Sequence, residues 1–117
     1  GMSENIEAIS IVDKFLEHPR VFIFSNEGNP KIYISSADWM TRNLDNRVEV
    51  GCPIYDEDIK QELLETFEIS WSDNVKARIF DREQKNIYKK NELPKLRSQF
   101  AIYDYYLNKL NSKKLEI

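Results

Sequence analysis

Hydrophobic and polar positions along this chain change period several times. Val21-Phe22-Ile23-Phe24 and Lys31-Ile32-Tyr33-Ile34 are β-branched and aromatic runs, and Ser25-Asn26-Glu27-Gly28-Asn29-Pro30 between them gathers residues that favour turns. The pattern predicts a β-hairpin. Upstream, Ile6, Ile9, Val12 and Leu16 recur at helical spacing, which predicts a helix from Glu4 to about Glu17, capped by Ser3 and ended by Pro19. His18 would then occupy the last turn of that helix, where unsatisfied carbonyls favour a protonated ring. After the hairpin, a loop is expected from Asp38 to Asn46 and a third strand from Arg47 to Gly51. Asp56 can cap a second helix through about Phe67, because Ile59, Leu63 and Phe67 form a stripe. A short strand from Val75 to Phe80 and a polar loop from Asp81 to Asn91 follow. Leu96, Phe100, Tyr103, Leu107 and Leu110 alternate four- and three-residue steps, giving one apolar face of a C-terminal helix. The sum is a single α/β domain, a mixed sheet with a hairpin flanked by three helices. It contains no repeat, linker or low-complexity segment.

A hairpin carries the backbone out to a turn and back, so the residues before its first strand and after its second meet at one end of the sheet. His18, Arg20, Ser36, Asp38 and Arg42 can therefore share one rim. An imidazole, a hydroxyl and guanidinium groups are donors that a phosphate needs, and a fixed imidazole can also move a proton. Asp38 would repel a phosphate and is expected to orient His18, Arg42 or a backbone amide instead. Each residue also has a plainer role. His18 can cap a helix end, Ser35 and Ser36 can satisfy turn amides, and Arg42 and Arg47 can pair with Asp45 and Glu49. Arg47 is taken as structural, while Arg42 and Ser36 stay open between the two roles. Trp39, Met40 and Trp71 are expected in the core. Tyr103, Tyr105 and Tyr106 are expected to pack the last helix, with one ring left for a neighbour.

Composition narrows the classes. A chain of 117 residues with 41% hydrophobic and 12% aromatic content has room for one modest core. No apolar run approaches the roughly 20 residues of a membrane span, and no signal-peptide pattern opens the chain. Gly1-Met2 is expected to be a cloning remnant. The single cysteine, Cys52, excludes an intrachain disulfide and fits a reducing cytoplasm; its apolar setting suggests a buried, inert thiol. Peripheral attachment to a membrane is left open. One histidine and one cysteine do not make a transition-metal site. A net charge of -3 speaks against a nucleic-acid module. Basic clusters exist at Lys85, Lys89, Lys90, Lys95 and Arg97, and at Lys109, Lys113 and Lys114. They suit either a solvated surface or weak attraction for a polyanion.

The block His18-Pro19-Arg20, then Ile34-Ser35-Ser36-Ala37-Asp38-Trp39-Met40-Thr41-Arg42-Asn43-Leu44-Asp45, then Arg47-Val48-Glu49-Val50, resembles the C-terminal domain of bacterial polyphosphate kinase. The likeness continues through Asp73-Asn74-Val75-Lys76-Ala77-Arg78 and Ala101-Ile102-Tyr103-Asp104-Tyr105 and covers nearly the whole chain from Ser3, with the first part of the domain expected to be missing. That family is similar in turn to the phospholipase D superfamily, with its H-x-K-x4-D and G-S-x-N segments. Here Arg20 stands for the lysine, Ser35 for the glycine and Asp38 for the asparagine, departures that weigh against phosphodiester hydrolysis. The resemblance implies a phospholipase D-like half domain and reversible transfer of the ATP terminal phosphate to inorganic polyphosphate, with Mg2+ and through a phosphohistidine. It also implies that the phosphorylated histidine lies in a preceding domain, so the fragment alone would be inactive. His18 matches a second essential histidine, which contacts ATP phosphates and donates a proton. The full-length enzyme would bind ATP, ADP and polyphosphate and form a homo-oligomer. The rival functions are a phospholipase D-like phosphodiesterase half-site and a module that only docks polyphosphate or a partner domain.

Overall fold

A computed structural model describes residues 4–115; the expected Ser3 cap and the Gly1-Met2 remnant lie outside them. The elements are β1 (Ile9–Ile11), β2 (Val21–Phe24), β3 (Lys31–Ser35), α1 (Thr41–Asn46), β4 (Gly51–Ile54), α2 (Glu57–Trp71), β5 (Ala77–Ile79) and α3 (Ser98–Leu115). The mixed α/β class, with a hairpin and three helices, matches the predicted class, although α1 falls where a loop was expected and no helix forms at 4–17. Its strands form two small antiparallel sheets, β2-β3-β4 and β1-β5, in place of one mixed sheet. The chain divides into two compact units, Glu17–Glu65 and the segments on either side of it.

The unit Glu17–Glu65 is built on the hairpin. Val21 pairs with Ile34, Phe22 with Tyr33, Ile23 with Ile32 and Phe24 with Lys31. The turn runs through Asn26, Glu27 and Gly28, all at positive φ, with the Asn26 amide donating to the Asn29 carbonyl at 2.9 Å. β4 joins the other side of β3, with Ile54 opposite Ile32 and Pro53 opposite Tyr33. Ile32, in the middle strand, is fully buried. The third strand thus begins at Gly51, where 47–51 was expected. Residues 47–50 are an extended lead-in whose Val48 is wholly exposed, and pairing starts only where the Ser36 amide meets the Val50 carbonyl at 3.0 Å. Within the expected 38–46 loop, Thr41–Asn46 winds into the short helix α1. The Asp56 carboxylate accepts from the Ile59 amide at 3.0 Å and caps α2 as predicted. α2 runs one turn past the expected end, to Trp71.

The other unit overturns the predicted first helix. Ile9, Ile11 and Val12 cluster β-branched side chains, and Ile9–Ile11 finds a partner strand in β5, with Ile9 opposite Ile79 and Ile11 opposite Ala77. The helical spacing of Ile6, Ile9, Val12 and Leu16 is coincidental, and His18 lies in extended chain, so no helix terminus acts on it. The fully buried Asp73 carboxylate organises this unit. One oxygen accepts the amides of Val75, Lys76 and Ala77 at 2.9, 2.6 and 3.0 Å, and the other accepts the Ser98 amide at 2.7 Å, at the start of α3. Burial pushes its pKa up, but the amides of Ser98, Lys76 and Ala77 outweigh that and hold it at about 2. Asn74 ties the 91–96 loop through Asn91, Pro94 and Leu96. Arg97 forks onto Asp13 at 2.6 and 2.8 Å, and Gln99 brackets the Phe15 peptide through both its N–H and C=O.

Several expected burials are not found. Trp39 is 80% exposed and Met40 is half exposed, whereas Trp71 is half-buried against Phe67. Cys52 is exposed, because β4 is an edge strand, which corrects the buried thiol. Tyr103 and Tyr106 are exposed, and only Tyr105 of that group turns inward. Among the described residues, no helix is long and apolar enough to cross a membrane.

Replacing Asp73 by alanine leaves four amides without their acceptor and is predicted to cost about 3 kcal/mol in chemical denaturation. Because the folded pKa lies below the ordinary 3.8, the ionised carboxylate stabilises the fold above about pH 4, and that contribution, about 2 kcal/mol, is lost as pH falls towards 2. Acid unfolding of the Asp73→Ala variant should be correspondingly shallower in that window.

Candidate functional site

The hairpin register creates the site. With Val21 opposite Ile34, Arg20 falls opposite Ser35, whose amide donates to the Arg20 carbonyl at 2.9 Å. The Ser35 hydroxyl then accepts from the Ala37 amide at 3.0 Å, a local turn that bends the chain after β3. This bend returns Asp38 to the residues just before β2. Asp38 Oδ1 receives His18 Nε2 and Arg20 Nε, each at 2.7 Å, and a longer contact of 3.4 Å links Arg20 Nη2 to Asp38 Oδ2. Arg20 Nη2 also lies 3.4 Å from His18 Nδ1.

The charges fix the proton arrangement. The Arg20 guanidinium first, and the His18 ring second, hold the Asp38 carboxyl at about 2. An ionised carboxylate can only accept, so His18 Nε2 carries a proton, and Nδ1 faces the Arg20 Nη2 donor at 3.4 Å. The His18 side chain is 61% exposed, while that of Asp38 is 21% exposed. The anchor is sheltered and the ring it holds faces solvent.

Of the five residues predicted to share the rim, the structure brings three into direct contact, His18, Arg20 and Asp38. Ser36 belongs to a second network. Its hydroxyl donates to Glu49 Oε2 in a short hydrogen bond and accepts from the Val50 amide at 3.0 Å. Asn43, buried on α1, donates to Glu49 Oε1 at 2.8 Å. The Ser36 hydroxyl and then the Asn43 amide lower the pKa of Glu49. Arg47 touches Glu49 only through a longer-range attraction. Sequence reasoning missed Asn43 and the role of Glu49. The signal available was a lone carboxylate between Val48 and Val50, beside a run already singled out. Arg42 is exposed on α1 and pairs neither with Asp45 nor with Glu49. Elsewhere, Lys89 and Arg97 are withdrawn from the basic cluster, the first by the Trp71 carbonyl and ring, the second by Asp13. Lys85 pairs with Glu83.

No group of three or more histidine, cysteine or acidic side chains that could hold a metal occurs among the described residues. Asp38, the carboxylate at the rim, is already shared between His18 and Arg20 and does not fit a resident cation.

These features define a class, an α/β domain presenting a carboxylate-anchored histidine beside a guanidinium group at one end of a small antiparallel sheet. Residues 1–99 match the family model described as polyphosphate kinase C-terminal domain 2. Polyphosphate kinases of Vibrio parahaemolyticus and Escherichia coli K12 are each 55% identical, over 109 and 106 residues, or 92% and 90% of this chain. The crystal structure of polyphosphate kinase from Porphyromonas gingivalis superposes with a TM-score of 0.91 at 43% identity, covering 95% of this chain and 17% of that one. The chain belongs to the polyphosphate kinase C-terminal domain family. It spans about one-sixth of the length of the curated relatives, 16% and 15% of the two named.

Replacing Arg20 by glutamine removes the larger of the two influences on Asp38. The carboxyl is expected to titrate closer to its ordinary 3.8, followed by NMR of the side-chain carbon against pH. An unmoved titration would mean that Arg20 does not anchor the site.

Proposed function

We propose that this chain forms one wall of the active site of an ATP:polyphosphate phosphotransferase, with His18 facing the phosphates. The observation that carries this reading is the anchored His18, an exposed imidazole whose Nε2–H is spent on Asp38, in a chain of the polyphosphate kinase family. Transfer of the terminal phosphate breaks the bond from its phosphorus to the oxygen bridging to ADP and forms a bond to the acceptor, a histidine of a preceding domain and then the end of a polyphosphate chain. The oxygen that leaves gathers negative charge. With Arg20 Nη2 turned from Nδ1 to the phosphates, His18 would present a proton on Nδ1 to that oxygen while Asp38 balances the charge. Arg42 and the outer nitrogens of Arg20 would meet phosphate oxygens as forked donors. Ser36 can reach a phosphate only by releasing Glu49, and we assign it to holding the strand end. Mg2+, which the kinase class suggests, would arrive on the nucleotide phosphates, since Asp38 and Glu49, the carboxylates near the rim, already hold other partners. Polyphosphate, ATP and ADP, the remaining domains of the enzyme and further copies of it are the partners of this reading, and the cytoplasm is its compartment.

Two measurements test it. In a full-length enzyme carrying this domain, His18→Ala should lower ATP-dependent polyphosphate synthesis by about 100-fold or more with the fold intact, as expected for loss of a proton-transfer group. The 117-residue chain alone should show no turnover. Near-normal synthesis by the variant would reduce the domain to docking, and turnover by the isolated chain would contradict the shared active site.

A further inference from the structure

α1 is a helix that its own sequence does not sustain. It has six residues, well short of the roughly 12 to 15 at which an isolated helix becomes stable. Met40 at its N-cap offers no side-chain acceptor, its first turn holds no acid and its last turn no base. One side chain holds it in place. Asn43 is 3% exposed, and its Nδ2 donates to Glu49 Oε1 at 2.8 Å. Glu49 Oε2 takes the Ser36 hydroxyl in turn, and the Ser36 oxygen accepts the Val50 amide at 3.0 Å. α1 is thereby fastened both to the exit of β3 and to the lead-in of β4.

The same asparagine carries a cost. Its bond to Glu49 fixes the amide, since turning it over would set two acceptor oxygens against each other. The Asn43 Oδ1 is then buried with no hydrogen-bond donor among the described residues. An unsatisfied buried acceptor lowers stability, and an apolar side chain of similar size would avoid that loss. Departures of this kind from local rules gather at functional sites.

We propose that Asn43 is a positioning residue for phosphate transfer, holding α1 so that Arg42 faces the phosphate chain; the inference rests on the contact between Arg42 and phosphate proposed above. Successive residues of a helix are turned about 100° from one another. With Asn43 committed to the interior, Arg42 is set on the exposed flank of α1. The clamp lies beside the rim. Asp38 first, and Glu49 at longer range, favour the charged form of Arg20, so Glu49 and that guanidinium share one neighbourhood. Ser36, the other partner of Glu49, stands two residues before Asp38. A single carboxylate thus ties the orientation of Arg42 to the strand end that carries the anchor of His18. Released from Glu49, α1 loses its one buried side chain and Arg42 regains the freedom of a loop residue. Its contact with phosphate must then overcome the entropy of ordering that segment, and the loss falls on substrate binding, not on proton transfer by His18.

In a full-length enzyme carrying this domain, polyphosphate synthesis would be measured over a range of ATP concentrations for Arg42→Ala, Asn43→Ala and the pair. Asn43→Ala should raise KM for ATP about tenfold, the worth of one charge-assisted hydrogen bond, with kcat within about twofold, and should add nothing once Arg42 is gone. In the 117-residue chain, the Leu44 amide bonds the Met40 carbonyl at 3.0 Å and should exchange with solvent about tenfold faster or more in Asn43→Ala. Should Asn43→Ala fail to fold, Asn43→Ser takes its place, since it keeps a polar group at the position but is too short to reach Glu49. An unchanged KM, unchanged exchange, a fall in kcat alone, or losses that multiply independently would each overturn the proposal while leaving the contact of Arg42 standing. A normal KM in Arg42→Ala would overturn it together with that contact, and the role of His18 would still be judged by its own variant.

Discussion

The antiparallel register of β2 against β3 is the constraint on which the site depends. Because the side-chain period of a strand is two, a slip of one residue would turn Arg20 to the opposite face and move every hydrophobic residue of β2 with it. Ile32 pins the register from below, buried between Ile23 on one side and Ile54 on the other. With that register set, a three-residue approach to β2 from His18 and a three-residue departure from β3 to Asp38 are enough to make the two side chains meet. The same alternation decides which backbone groups face outward on β2 and which face β3.

Electrostatics completes what the register begins. Two neighbouring carboxylates near the same strand end are both held ionised, by different donors and for different ends. Asp38 is charged because Arg20 and His18 point at it, and it converts a free imidazole into an oriented one. Glu49 is charged because Ser36 and Asn43 donate to it, and it fastens α1 and the lead-in to β4 behind the rim. The serine that resembles a phosphate ligand in sequence is therefore one step removed in the structure, while Arg42 on α1 has no ion-pair partner among the described residues. The conspicuous run from Ser35 to Asn43 mixes residues that face the rim with residues that build it.

The hairpin, the Asp56 cap, β5 and the C-terminal helix were legible in the sequence because each rests on local chemistry: β-branched runs, a turn cluster, a capping carboxylate, a periodic stripe. His18, Arg20 and Asp38 were legible because a hairpin has one geometric consequence at its open end. The first helix was not, since Ile9–Ile11 owes its strand conformation to a partner nearly seventy residues away, which no local spacing records. The burial of Trp39, Met40 and Cys52 was misjudged for a related reason. Apolar character fixes what a side chain gains on burial but not whether this chain supplies the surface to bury it. Asp73 and Asn74 lay inside a motif carrying the family resemblance, yet their roles as amide acceptors and loop ties need the fold before they can be seen.

The central claim is that Asp38 acts through His18, and a double-substitution cycle in the full-length enzyme tests it most directly. Polyphosphate synthesis would be measured for His18→Ala, Asp38→Asn and the pair together. The account predicts that Asp38→Asn slows the intact enzyme clearly and adds nothing once His18 is gone, because an anchor without its ring has nothing left to orient. Losses that multiply independently would contradict it and separate the carboxylate from the histidine it touches.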